Sequence, residues 1–388
     1  MRKGDKMQDS REEDILKQQV TEIMNEQQSK INQENPPTSG KNKPVNKKMH
    51  RSLKVAGLTV VALLIIFSLI IGTKGGRRFI YQSISVFIYN NIDNNDIIKE
   101  YQEDGDNNHY ADDIRQEDYI TNYLIFGIEE FGGAKNTDSI MIASINTKDD
   151  TLKLTSLLRD SYVEIPDHKT NKLNSAYSKG GARMMVDTIE LNYKIKIDGY
   201  VSVDFKSFEK IVDLLGGVKI ELGKEEAKYL NTTNYISKKS NRNVKAGVNK
   251  LNGNQVMGYC RVRKVKTLGG ANNDYGRIVR QQRALKAIFD SYKSPKNFFR
   301  IISVTKESLG YVTTNLTQSQ IKKAMEDIIE NRIKTLDTFR IPVDGTFDAP
   351  KKYNGIGYPL ILDWNANRIE LYKFIFHDTE EEAIAALE

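Results

Sequence analysis

Residues Tyr200–Leu222 read YVSVDFKSFEKIVDLLGGVKIEL. This stretch predicts a strand at Tyr200–Asp204, a helix at Phe205–Leu215 closed by Gly216-Gly217, and a second strand at Val218–Leu222. Upstream, Tyr123–Ile128 (YLIFGI) is a short apolar run of strand formers. Ser139–Asn146 (SIMIASIN) is apolar on both faces, as a strand covered on each side would be. Thr151–Leu158 reads as its neighbour across a turn at Lys148–Asp150, and Gly181–Leu191 as a helix. Downstream, Lys224–Lys245 is polar and loop-like, with helices expected at Phe298–Leu309 and Gln318–Asn331. Thr335–Ile341 and Tyr358–Asp363 look β-like, and a helix follows. Strands alternating with helices predict an α/β layered fold.

The segments before this domain differ in kind. Residues 1–54 are rich in Lys, Gln, Glu, Asn and Ser and predict a disordered tail. Val55–Thr73 holds nineteen residues without a charge, enough for one helix to cross a bilayer. The six Lys and Arg residues within Lys41–Lys54 outweigh Lys74, Arg77 and Arg78, which predicts a cytoplasmic N-terminus. Residues 74–118 read as a juxtamembrane amphipathic helix and an acidic linker; ten acids face two bases in Asp93–Asp118. The folded domain is expected over 119–376 and an acidic tail over 377–388. The localisation implied is the cell membrane, single-pass, with the domain outside. A net charge of +7 favours anionic partners. A single cysteine, Cys260, excludes an intramolecular disulfide, and four scattered histidines exclude a zinc-hydrolase motif.

The chemistry concentrates in Gly258–Asp290, GYCRVRKVKTLGGANNDYGRIVRQQRALKAIFD. Its start reads as a strand, which would send Arg261 and Arg263 to one face. A turn at Gly269–Asp274 leads into a helix on which Arg277, Arg280 and Gln281 stand at i, i+3 and i+4. Convergent guanidinium groups suit phosphate oxygens in pairs, so a phosphate or pyrophosphate site is the central expectation. A solvated basic helix face is the competing reading. Glu129, Glu130, Asp138, Arg159 and Asp160 lie at strand ends, where open α/β sheets place ligands. Carboxylates beside arginines suit Mg²⁺, or Mn²⁺, held against phosphate oxygens.

Six ordered blocks resemble the LytR–CpsA–Psr family of membrane-anchored cell-wall enzymes. They are NYLIFGIEE, TDSIMIASIN, TSLLRDSYVEIP, KLNSAYSKGG, IDGYVSVDFKSFEKIVDLLGGVKIEL and LNGNQVMGYCRVRK with NDYGRIVRQQRALKAI. The resemblance runs from about Asn122 to Phe376. It implies a layered α-β-α sandwich around a central mixed β-sheet. It also implies a phosphotransferase that moves a glycopolymer (teichoic acid, capsule or another wall polysaccharide) from a polyprenyl-pyrophosphate donor to peptidoglycan. The acceptor would be the C6 hydroxyl of N-acetylmuramic acid, and polyprenyl phosphate would leave. Carried onto this chain, Arg159, Arg261, Arg263, Arg277 and Gln281 grip the pyrophosphate, with Arg280, Lys172 and Asn174 as further substrate contacts. Asp138 and Glu129 hold Mg²⁺, and Asp160 is the candidate for the acceptor's proton. The chain departs from the pattern at Glu129, where Asp is usual, and at Phe131 and Asn136, where Arg is frequent. Phe205–Leu215 and Met184–Leu191 are candidate walls for the lipid tail, with core packing as the alternative.

Two other activities use the same residues: hydrolysis of the lipid pyrophosphate, and wall-polysaccharide binding without turnover. A nucleic-acid-binding role is not expected, since residues 1–54 carry no helix-turn-helix pattern.

Overall fold

The computed structural model describes residues 73–91, 113–131, 134–292, 312–330, 333 and 335–388. The expected tail, nearly all of the expected membrane segment, most of the acidic linker and the helix expected at Phe298–Leu309 lie outside these residues. Among the described residues, no helix is long and apolar enough to cross a membrane.

A six-stranded mixed sheet organises the domain. Its strands are β1 (Ile120–Phe131), β2 (Ala134–Asn146), β3 (Thr151–Leu157), β6 (Gly199–Asp204), β9 (Val312–Thr314) and β10 (Leu336–Ile341), while β4 (Tyr162–Val163) pairs with β5 (Asn171–Lys172) and β11 (Phe347–Asp348) with β14 (Ile361–Leu362) outside it. The order is β10-β3-β2-β1-β6-β9, with β1–β6 and β3–β10 parallel and the other neighbours antiparallel. Successive side chains of a strand point to opposite faces, so each strand feeds two cores. Ile140 and Ile142 pack with helices α2 (Ala176–Tyr193) and α8 (Trp364–Phe376); Met141 and Ile145 pack with α7 (Gln318–Glu330). Helix α1 (Lys74–Asn91) lies on α7, where Arg77 Nε donates to Glu330 at 2.7 Å. The layered α/β expectation is met, with helices on both faces of the sheet.

The strand–helix–strand reading of Tyr200–Leu222 holds element by element, and the two strands join different sheets. Asp204 caps α3 (Phe205–Leu214) by accepting from the Ser207 N–H at 2.9 Å. Gly216 and Gly217 then turn the chain at φ +79° and +84°. Strand β7 (Val218–Leu222) buries Val218, Ile220 and Leu222 and leaves the main sheet to pair with β8 (Gly247–Leu251). These two strands, α3, α5 (Gly253–Arg261) and α6 (Asn273–Tyr292) enclose a further apolar core around Val212, Val256 and Tyr259.

Three segments differ from expectation. Within Lys224–Lys245, expected as loop, Lys224–Thr232 forms helix α4, whose buried Ala227 and Leu230 supply an apolar face. Cys260-Arg261, expected in a strand, ends α5, because Asn252 and Gln255 cap each other's backbone and start a helix there. The C-terminal residues expected as a tail include helix α9 (Glu380–Ala385), with Ala383 fully buried. Asp378 pairs with Arg115, whose guanidinium lies 3.8 Å from the Phe376 ring centroid.

Candidate active site

A cavity of about 490 Å³ opens between the main sheet and the α3–α5–α6 core. Its wall is apolar on one side, with Ile125, Met141, Val203, Phe205, Phe208 and Leu285. Asp138, Arg261, Arg263, Lys264, Arg277 and Gln281 supply the polar side. An apolar wall beside a group of cations suits a ligand with a lipid tail and an anionic head.

Asp138 reaches the cavity through a local irregularity. Gly127 pairs with Ser139 but Ile128 pairs with Thr137, so Asp138 is the extra residue of a β-bulge. Bulges re-aim side chains, and here the carboxylate turns toward two arginines. Its Oδ1 accepts from Arg159 Nη1, and its Oδ2 lies 3.4 Å from Arg277 Nη1. Arg159 stands just past β3, and burial is the largest influence on its charge and opposes it, but Asp138, Asp160 and Asp274 together hold its pKa above the ordinary value.

Arg277 is the centre of the cluster. Its side chain is buried in the first turns of α6, and Nη2 pairs with Asp274 at 3.1 Å. The same Asp274 oxygen lies 3.3 Å from Arg263 Nε. Burial, then the like charges of Arg263 and Arg159, push the Arg277 pKa down to about 10, against the pull of Asp274 and Asp138. Arg277 Nε is buried and makes no hydrogen bond. A cation held against its own electrostatics, with a spare buried donor, is a strong reason to infer an anionic ligand.

The other expected residues divide. Arg261 and Arg263 both line the cavity although they leave from a helix end and the loop after it; the Arg261 guanidinium lies 5.6 Å from the Phe205 ring centroid. Gln281 also lines it, and accepts from Ser139 Oγ at 3.4 Å. Arg280 does not reach it. That side chain is fully buried against Glu226 at 2.8 Å and donates to the carbonyls of Val262 and Val265. It therefore braces the loop that carries Arg263. Asp160 lies behind Arg159, at 3.5 Å from its Nε, and pairs with Lys172 at 2.8 Å. Asn174 sits on the short turn after Lys172, its N–H donating to the Arg159 carbonyl. Arg159, Asp160, Lys172 and Asn174 thus stand outside the cavity wall, joined to it through the contact of Arg159 with Asp138. Of the two proposed lipid walls, Phe205 and Phe208 of α3 line the cavity, whereas Met185, Val186 and Ile189 of α2 fill the opposite core.

The backbone of Glu129 pairs with Asn136 in β1–β2. Among the described residues, no group of three His, Cys, Asp or Glu side chains gathers to hold a metal. Among the described residues that line the cavity, Asp138 alone offers a carboxylate, which fits a hard cation bound chiefly by phosphate oxygens rather than an all-protein cage. Cys260 also borders the cavity, but burial pushes its thiol up to about 12, so it is no nucleophile near neutrality. Lys264, Tyr235 and Met257 were not singled out in the sequence; Lys264 carried the only signal, as the next cation after Arg263.

The sequence pattern of the LytR_cpsA_psr family matches residues 85–363. Regulatory protein MsrR of Staphylococcus aureus (strain Mu50) is 29% identical over 261 residues, 66% of this chain and 74% of its own. The polyisoprenyl-teichoic acid--peptidoglycan teichoic acid transferase TagU of Bacillus anthracis is 28% identical over 296 residues, 74% of this chain and 88% of its own. The solved structure "TagT bound to LIIa-WTA" shares the fold with a TM-score of 0.54 at 24% identity, over 68% of this chain and 94% of that one.

Proposed function

The chain belongs to the LytR_cpsA_psr family, and we propose that it is a membrane-anchored phosphotransferase. It takes a polyprenyl-pyrophosphate-linked glycopolymer as donor and attaches the phosphoglycan to peptidoglycan, at the C6 hydroxyl of N-acetylmuramic acid. The observation that carries this reading is the junction, in one cavity, of an apolar wall with the buried and under-neutralised Arg277. The names of TagU and of the TagT structure support the donor class.

In this reading the lipid lies along Phe205, Phe208 and Leu285, and the pyrophosphate rests on Arg261, Arg263 and Arg277. The acceptor oxygen bonds to the phosphorus nearest the glycan. The bond from that phosphorus to the bridging oxygen breaks, and polyprenyl phosphate leaves with the electron pair. Guanidinium groups fixed before the reaction neutralise the charge that gathers on the leaving phosphate, with little reorganisation. Asp160 accepts the acceptor's proton; Arg159 and Lys172 hold its carboxylate in place. Asp138 would be the protein ligand of a Mg²⁺ or Mn²⁺ ion, which when bound supplies further neutralisation of the pyrophosphate. The anchor at Val55–Thr73 would keep the site beside the bilayer that holds the donor.

The test follows polyprenyl phosphate release from a lipid-linked glycan, with and without peptidoglycan oligomers and Mg²⁺. Release that needs both acceptor and metal, and is lost in Arg277→Ala while the fold survives, is the expected result. Equal release without acceptor makes the chain a hydrolase. Pyrophosphate binding without any release reduces it to a binding protein.

A further inference from the structure

Resting on the transferase reading, we infer that the hairpin Lys351–Tyr358, with Tyr162, is the surface that binds the sugar chain of the acceptor peptidoglycan. Strands β12 (Lys352–Tyr353) and β13 (Ile356–Gly357) close over Asn354-Gly355, both at positive φ (46° and 86°), the signature of a tight type I′ turn. The hairpin displays its aromatic rings instead of burying them. Tyr353 is 42% exposed and stands edge-on to Tyr162, with ring centroids 5.3 Å apart. Asn354 Nδ2 donates to the Tyr162 hydroxyl at 3.3 Å. Tyr358 is 69% exposed and adopts φ +53°, a conformation bulky residues rarely take. Its N–H donates to the Lys351 carbonyl, which fastens the strained residue to the hairpin. Strain costs folding free energy and the exposed ring gains no packing in return, so packing does not account for Tyr358, and a ligand laid on the ring would offset that cost.

The hairpin is rooted at the reacting centre. Leu360 N–H donates to the Asp160 carbonyl at 2.9 Å, and Tyr162 N–H donates to the Leu360 carbonyl at 2.8 Å. Asp160 pairs with Arg159, and Arg159 with Asp138 on the cavity wall. An acceptor strand lying on Tyr353 and Tyr358 therefore leads toward Asp160 from outside the lipid cavity. The chemistry fits a glycan better than an apolar peptide. Tyrosine rings pack on the C–H faces of pyranose rings while their hydroxyls, and the Asn354 amide, meet sugar hydroxyls. Lys351–Tyr358 carries two lysines and no acid, which suits the carboxylates of the lactyl-peptide substituents on peptidoglycan.

The full-length chain in detergent is titrated with a soluble peptidoglycan tetrasaccharide by calorimetry, and separately with inorganic pyrophosphate. Tyr353→Ala and Tyr358→Ala are expected to lower tetrasaccharide affinity about tenfold each, as truncated anchor tyrosines do. Acceptor KM rises while kcat and pyrophosphate affinity stay as in the parent. Tyr358→Gly relieves the backbone strain, so it keeps or raises the thermal midpoint and still loses glycan affinity; Tyr358→Trp retains it. Glycan affinity unchanged in these variants, or no tetrasaccharide binding by the parent, overturns the inference. Tyrosine-dependent glycan binding without polyprenyl phosphate release from any donor instead sinks the transferase reading and leaves this surface standing.

Discussion

Arg277 and Glu190 show how single residues carry opposite electrostatic tasks. Arg277 is held buried among Arg263 and Arg159, and its pKa falls to about 10, so a bound anion relieves a repulsion already present. A lysine would not substitute: its ammonium lacks the paired donors and sheds its proton more readily on burial. Arg277→Lys is expected to weaken inorganic pyrophosphate binding at least about tenfold, roughly the value of one charge-assisted hydrogen bond. Calorimetric titration reads this directly. Glu190 is buried in α2, and burial raises its pKa to about 7 from an ordinary 4.5; neighbouring Asp187 adds to this, while the Ile197 N–H it accepts works against it. The unfolded chain therefore releases this proton first. Stability from Glu190 is intact below 4.5, falls as pH rises through the window, and is fully lost above about 7. Glu190→Gln keeps an acceptor for Ile197, so it should match the parent in acid and exceed it above neutrality by up to about 3 kcal/mol. Urea unfolding at both ends of the window checks the sign. Asp138, Arg159 and Arg277 were legible from charge placed beside apolar strand runs and in a basic helical pattern, although Asp138 sits at a bulge inside β2 rather than before the strand. The fate of Arg280 was not: its partner Glu226 lies far along the chain, and helical spacing alone put it beside Arg277.

At the scale of elements, α5 and the loop after it explain both a misreading and a dependence. The alternation Cys260-Arg261-Val262-Arg263 looks like a strand, yet it joins the last residues of a helix to an extended linker. The decisive signal lay earlier, in Asn252 and Gln255, which cap the helix start. Both arginines still reach the cavity, because α5 is pressed onto α3: Asp213 accepts from Gly253 N–H at 2.7 Å, and a Cβ on Gly253 would fall 1.9 Å from the Glu209 carbonyl oxygen. Gly253→Ala must push the helices apart and is expected to cost about 1–3 kcal/mol by denaturant unfolding. The Arg280–Glu226 pair fixes the other side of the loop, since Arg280 holds the Val262 and Val265 carbonyls and Glu226 accepts from Leu268 N–H. Arg280→Ala strands a buried carboxylate and should destabilise by about 3–5 kcal/mol. The contrast with Arg277→Ala is the useful one, because Arg277 is expected to matter for ligand more than for fold.

Across the whole molecule, the sheet with its two covering layers and the α3–α5–α6 core meet around the cavity, and neither supplies a complete site. The alternation of strands and helices was readable because hydrophobic period is local. Strand order was not: β3 takes β10 as a parallel neighbour, and β7 leaves the main sheet, choices made by long-range packing. Arg159 and Asp138 come from the sheet, Arg261, Arg263 and Arg277 from the other side, and the Arg277–Asp138 ion pair already joins them across the gap. A pyrophosphate seated there would add charge-assisted bonds to both walls and replace repulsion among cations with attraction. Binding to the folded chain alone raises its stability by about 2.7 kcal/mol at a hundredfold excess over the dissociation constant. In a domain of this size that is roughly 5 °C in the thermal midpoint. Scanning calorimetry with inorganic pyrophosphate and Mg²⁺ should show that rise, should lose it in Arg277→Ala, and should show it shrink at high salt as the cations are screened. If the midpoint stays fixed in the parent chain, the arginines do not form an anion site, and the cavity must be reassigned to a neutral ligand.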